Sequence, residues 1–138
     1  MNNLWTDTGY ISLNHVNEQL CGDRVEIIGN NEKSLTMVLA DGLGSGVKAN
    51  ILSSMTTRMA MKFMEDNTDL LRSSEIMMDA LPICQIRKIS YATFSIVDSE
   101  LEGKTRIFEM DNPRYIFIRN HRLLAIKGRE FSSPKWKE

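Results

Sequence analysis

The chain has 138 residues, 42% hydrophobic and 25% charged, with 17 Lys and Arg against 18 Asp and Glu for a net charge of −1. A sequence this apolar is expected to fold as a single domain over residues 1–138, burying roughly two-thirds of its unfolded surface. The charge balance argues against a dedicated nucleic-acid binder or a binder of acidic membranes, and no apolar run approaches the roughly 20 residues that span a bilayer. Met1–Trp5 does not read as a signal peptide, and Cys21 and Cys84 are too few for a disulfide framework or a zinc site. A reduced, cytoplasmic setting is the expectation.

Three strands are predicted first, over 10–14, 24–28 and 34–40. Turn formers in Gly29-Asn30-Asn31-Glu32-Lys33 predict that the second and third form a hairpin. Both faces of Leu35–Ala40 are apolar, which predicts a strand covered on both sides. The apolar positions Val47, Ile51, Met55, Met59 and Phe63 then recur every four residues, widened by Leu52, Ala60 and Met64, predicting an amphipathic helix over 45–66 with that stripe facing the core. A second helix is expected to start at the capping hydroxyl of Ser73 or Ser74 and to end before Pro82, burying Ile76, Met77 and Leu81. Strands resume at 91–97, 105–110, 114–119 and 122–126, the last two joined by Asn120-His121. Asp98-Ser99-Glu100 reads as a hairpin loop and Asp111-Asn112-Pro113 as a bend. Strands, two helices and strands again, without a repeating βαβ rhythm, give an α+β fold with mostly antiparallel pairing.

Ala40-Asp41-Gly42-Leu43-Gly44-Ser45-Gly46 is the stretch with most chemical content. A carboxylate ends a buried strand, and glycines that let the backbone approach a ligand lead into a helix N-terminus. Read structurally, the same residues make a tight strand-to-helix turn. A second carboxylate, Asp23, opens the strand paired with the one ending at Asp41. Counting back from the hairpin turn places both at one end of the ladder. Two converging aspartates beside an open glycine backbone offer hard oxygen ligands, suited to Mg²⁺ or Mn²⁺. The glycine run misses both the phosphate-loop and the dinucleotide spacing, and His15 and His121 read as surface or turn residues. Methionines at helical spacing read as core filler, with an adaptable partner groove as the other possibility.

Cys21-Gly22-Asp23, Val38–Gly46, and Ala49 and Ser53 in the following helix together resemble the metal-dependent protein phosphatases. The branch they resemble is the stage II sporulation protein E-like serine phosphatases, relatives of protein phosphatase 2C. Tyr91-Ala92-Thr93-Phe94 and the Asn112-Pro113 bend before Tyr115–Asn120 fit the same branch, so the similarity runs from about Ser12 to Leu124. The resemblance implies an α-β-β-α sandwich of two mostly antiparallel sheets flanked by helices, with two Mn²⁺ or Mg²⁺ ions at one edge. It implies that Asp41 bridges the metals, that the Gly42 carbonyl binds one, and that Asp23 contributes directly or through water. Catalysis would then use a metal-activated water on phosphoserine or phosphothreonine of a bacterial signalling protein, such as an anti-anti-sigma-like domain.

One departure stands out. The family carries further aspartates after its last strands, whereas no Asp follows Asp111 here and the later carboxylates are Glu130 and Glu138. The domain is therefore expected to be incomplete at its C-terminus and to bind metal weakly. The alternative is a non-catalytic interaction module built on the phosphatase fold.

Overall fold

Two strands meet in an antiparallel ladder that runs without a bulge from Asp23 opposite Asp41 to Asn30 opposite Ser34. These are β1 (Asp23–Asn30) and β2 (Ser34–Gly42). The computed structural model describes residues 5–30, 34–66, 68–84 and 89–130, so residues 31–33 of the expected hairpin turn lie outside it, as do Phe131 and Trp136. The chain continues through α1 (Gly46–Glu65), α2 (Leu70–Ala80), β3 (Ile83–Cys84), β4 (Ile89–Ser90), β5 (Ala92–Glu100), β6 (Thr105–Met110), β7 (Phe117–Arg119) and β8 (Arg122–Leu124).

Four strands form one antiparallel sheet in the order β1-β2-β5-β6, while β3-β4 and β7-β8 are two-stranded ribbons. The α+β class with antiparallel pairing is as expected. Of the α-β-β-α sandwich, the described residues build the four-stranded sheet and its helix layer, with the ribbons beside them. Val38, Ala40, Phe94, Ile96, Phe108 and Met110 point to the helices, where Ala60, Met61, Leu70, Met77 and Met78 close the core. The rings of Phe94 and Phe108 stack with centroids 5.5 Å apart. By strand alternation the opposite face carries Val25, Ile27, Met37, Leu39, Val97 and Ile107. Leu39 is 42% exposed there. The expectation that β2 is covered on both sides is thus corrected: helices cover one face.

The α1 stripe is a second correction. Its first half turns away from the core, with Val47, Ile51 and Met55 63%, 52% and 64% exposed. Met59, Phe63, Leu52, Ala60 and Met64 pack against the core as expected, and the helix also buries Ala49, Ser53, Thr56, Thr57 and Met61. Small residues let α1 lie close against β1 and β2. Their hydroxyls cost little to bury because each bonds a carbonyl of the preceding turn: Ser53 to Asn50 at 3.1 Å, Thr56 to Leu52 at 2.8 Å and Thr57 to Ser54 at 3.1 Å.

Four smaller corrections follow. α2 is capped by Asp69, whose side chain accepts from the N–H groups of Leu71 and Arg72, while Ser73 and Ser74 are buried and bond back to the carbonyls of Asp69 and Leu70. Met77 and Leu81 are buried as expected, but Met78 rather than Ile76 completes the face. Residues 10–14 form no strand. Asp98 lies inside β5, since β5 runs on to Glu100, and it is buried rather than in a hairpin loop. The bend at Asp111-Asn112 and the turn at Asn120-His121 stand where expected, with Asp111, Asn120 and His121 at positive φ.

Candidate metal centre

Asp23 is the first residue of β1 and Asp41 the last but one of β2, and the two are direct cross-strand partners. Side chains in such a pair share one face, with Cβ atoms about 4.5–5.5 Å apart. Counting along the hairpin is therefore sufficient to bring these carboxylates together at the open end of the sheet. Both residues are solvent-exposed. The Asp41 carboxyl nevertheless sits above the ordinary aspartate range, first through partial loss of water, then through the negative charge of Asp23 and a hydrogen bond with it.

Glycines hold the backbone around the pair. The Gly42 N–H donates to the Gly22 carbonyl at 3.1 Å and the Leu43 N–H to the Tyr91 carbonyl at 2.8 Å. A Cβ on Gly42 would lie 2.0 Å from the Ala49 carbonyl oxygen, and one on Gly22 would lie 3.2 Å from the Ala49 Cβ. At Gly42 no side chain fits where α1 crosses the strand ends, and at Gly22 the fit is tight. The Gly42 and Gly44 carbonyl oxygens both lie 3.7 Å from that Gly22 position, beside the residue that precedes Asp23. Gly44 and Gly46 have φ of 101° and 66°, the left-handed turns that lift the chain from β2 into α1.

Two features beside the pair escape a reading of the sequence alone. On β5, Thr93 is the cross-strand partner of Asp41 on its other side. Its hydroxyl donates to the Asn112 side-chain Oδ1, and the Asn112 side-chain amide donates to the Ser95 hydroxyl at 2.8 Å. The polar alternation Thr93, Ser95 in an apolar strand was the available signal. Glu18, in the segment before β1, accepts a hydrogen bond from the Ser45 hydroxyl at 2.9 Å, and nothing in the local sequence marks it.

The two carboxylates, with nearby glycine carbonyls, would make an all-oxygen set, which would suit Mg²⁺ or Mn²⁺ rather than zinc. Among the described residues no third Asp, Glu, His or Cys joins the pair in a ligand group. Cys21 is half-buried, its thiol donating to the Leu13 carbonyl at 3.2 Å; His15 and His121 are exposed, as expected.

No family model matches the sequence, and a search of curated proteins finds no relative. Solved structures do match. The PP2C phosphatase domain of SpoIIE from Bacillus subtilis, solved with a fragment of its regulatory domain, superposes with a TM-score of 0.74 over 86% of this chain at 14% identity. The chain has the fold of part of a PP2C phosphatase domain. RsbX in complex with magnesium matches with a TM-score of 0.53 over 70% of the chain at 23% identity. The chain spans 35% of the SpoIIE chain and 55% of the RsbX chain, so it accounts for part of the PP2C fold in each. Among the described residues no helix is long and apolar enough to cross a membrane.

Proposed function

We propose that this chain carries part of the catalytic centre of a metal-dependent protein serine/threonine phosphatase. The reading rests on Asp23 standing directly opposite Asp41 in a PP2C fold. Asp23, Asp41 and the Gly42 carbonyl would hold Mn²⁺ or Mg²⁺. The raised Asp41 carboxyl supports the assignment, because partial loss of water and the neighbouring Asp23 charge are both relieved by a divalent cation.

A bound metal pair in such a site supplies a hydroxide from water and neutralises phosphoryl oxygens. The chain's own groups do the rest. Asp23 and Asp41 present acceptor oxygens on one face. Gly42, fixed by its bond to Gly22 and by its contact with Ala49, keeps a carbonyl at the same corner. Thr93, Asn112 and Ser95 supply neighbouring hydrogen-bonding groups. The substrate class of this reading is phosphoserine or phosphothreonine on a signalling protein, an anti-anti-sigma-like domain being the partner implied by the sequence resemblance.

Calorimetric titration with Mn²⁺ tests the assignment. Weak binding is expected from the unaltered chain, since two carboxylates form a small anionic set, and no binding from Asp41→Asn. Equal binding by both would remove the site from Asp41, and tight uptake of two ions would contradict the small ligand set. The interaction-module alternative is favoured by that same pairing of two carboxylates without a third. Release of phosphate from a phosphoserine peptide, dependent on Mn²⁺ and lost in Asp41→Asn, decides for the enzyme.

A further inference from the structure

The segment from Trp5 to Gly22 runs over the surface without helix or strand, and between Gly9 and Leu20 every residue but one is exposed. The exception is Glu18. Its carboxylate reaches the start of α1, where one oxygen accepts the Ser45 hydroxyl at 2.9 Å. The other lies 2.6 Å from where a Cβ on Gly46 would be, so a side chain there would have to displace the Glu18 carboxylate.

Ser45 occupies the N-cap of α1, yet its side chain makes no capping bond and the first turn holds no acidic residue. Its hydroxyl is turned outward to Glu18 instead. Glu18 thus brings to the positive end of the helix the negative charge that the helix itself lacks. The loop Gly42–Ser45, which follows Asp41 directly, is then anchored at three points. Gly42 bonds Gly22, Leu43 bonds Tyr91, and Ser45 bonds Glu18. The first two anchors are backbone bonds; Glu18 is the side-chain anchor.

We propose that Glu18 is a positioning residue for the cation site, a latch through Ser45 that fixes the loop presenting Asp41 and the Gly42 carbonyl. The proposal rests on the metal reading given above. Glu18 itself is no ligand. Its effect travels through the loop, as the effect of groups that orient metal ligands generally does.

The test is Mn²⁺ titration of the whole chain, followed by the electron paramagnetic resonance signal of free Mn²⁺, with amide hydrogen exchange of the loop read in parallel. Glu18→Ala is expected to weaken Mn²⁺ binding on the order of tenfold, with stoichiometry unchanged and Gly42–Gly46 amides exchanging faster. Glu18→Gln keeps an acceptor for the Ser45 hydroxyl and is expected to restore most of that loss. Ser45→Ala should reproduce Glu18→Ala, and the double variant should be no weaker than either single one, because both cut the same link. Glu18→Ala binding Mn²⁺ as the unaltered chain does, or additive losses in the double variant, overturns the latch. Absence of Mn²⁺ binding by the unaltered chain overturns the metal reading, and the latch with it.

Discussion

Asp23 and Asp41 are like charges set directly opposite each other in an antiparallel ladder, an arrangement that opposes folding when no cation lies between them. The Asp41 carboxyl is raised above the ordinary 3.8 in the folded chain, by partial desolvation first and by Asp23 second. Just above pH 3.8 the folded state therefore holds a proton that the unfolded state has lost, so stability falls as pH climbs through that window and stays lower beyond it. Asp41→Asn should make the metal-free protein more stable at pH 7. Because the residue is exposed, the gain is small, roughly 0.2–1 kcal/mol as for other cross-strand charge pairs. Urea denaturation at pH 7 and pH 3 measures it. The gain should vanish at pH 3, and a less stable Asp41→Asn at pH 7 would show that the pair is not repulsive.

Divalent cations should reverse that ranking. A ligand at ten times its dissociation constant stabilises the state that binds it by about 1.4 kcal/mol. Thermal unfolding of the unaltered chain should therefore shift upward as Mn²⁺ is added, whereas Asp41→Asn should not respond. Equal shifts in both would place the cation elsewhere.

Gly42 and Gly29 sit in the same hairpin and predict opposite outcomes. A Cβ on Gly42 would overlap the Ala49 backbone, at 2.0 Å from its oxygen and 2.7 Å from its carbonyl carbon. Backbone cannot swing aside, so Gly42→Ala should cost about 1–3 kcal/mol and push α1 from the strand ends. Nothing lies within 4 Å of a Cβ on Gly29. There the substitution removes only unfolded-state freedom and should add about 0.4–1 kcal/mol. Denaturant midpoints of the two variants settle the comparison, and a Gly42→Ala chain as stable as its parent would refute the close crossing.

Much of this geometry was legible because it depends on local counting. The spacing between Asp23 and Asp41 around a turn-rich segment fixes their register, and the strand expected over 105–110 is β6 at its observed bounds. What tertiary contact decides was not legible. The apolar period of α1 predicts the helix and the core packing of Met59 and Phe63 correctly but misplaces Val47, Ile51 and Met55, since close approach to β1 and β2 selects Ala, Ser and Thr over larger side chains there. Asp98 was misplaced for the same reason: its partners Thr36 and Arg106 are brought to it by strand pairing, and neither is near it in a local pattern. Glu18 and Ser45 meet across 27 residues.

Thr36, Asp98 and Arg106 lie in a row across β2, β5 and β6 as successive cross-strand partners on the helix-facing side. The Thr36 hydroxyl donates to one Asp98 oxygen at 3.1 Å, and the Arg106 guanidinium pairs with the other. Burial divides the two charges unequally, with the Asp98 side chain 7% exposed and that of Arg106 38%. Removing Arg106 leaves a carboxylate out of water with a single hydroxyl for company, whereas removing Asp98 leaves a guanidinium that can turn to solvent and already lies 4.0 Å from Asp69. Breaking a buried pair costs about 3–5 kcal/mol when the stranded charge stays buried. Arg106→Ala should approach that range, and Asp98→Ala should cost clearly less despite lying deeper. Replacing both with apolar residues of similar volume should recover most of the loss, because no charge is then stranded. Chemical denaturation of the three variants checks the order. An Asp98→Ala chain less stable than Arg106→Ala would mean that packing around Asp98, rather than its charge, holds this end of the sheet.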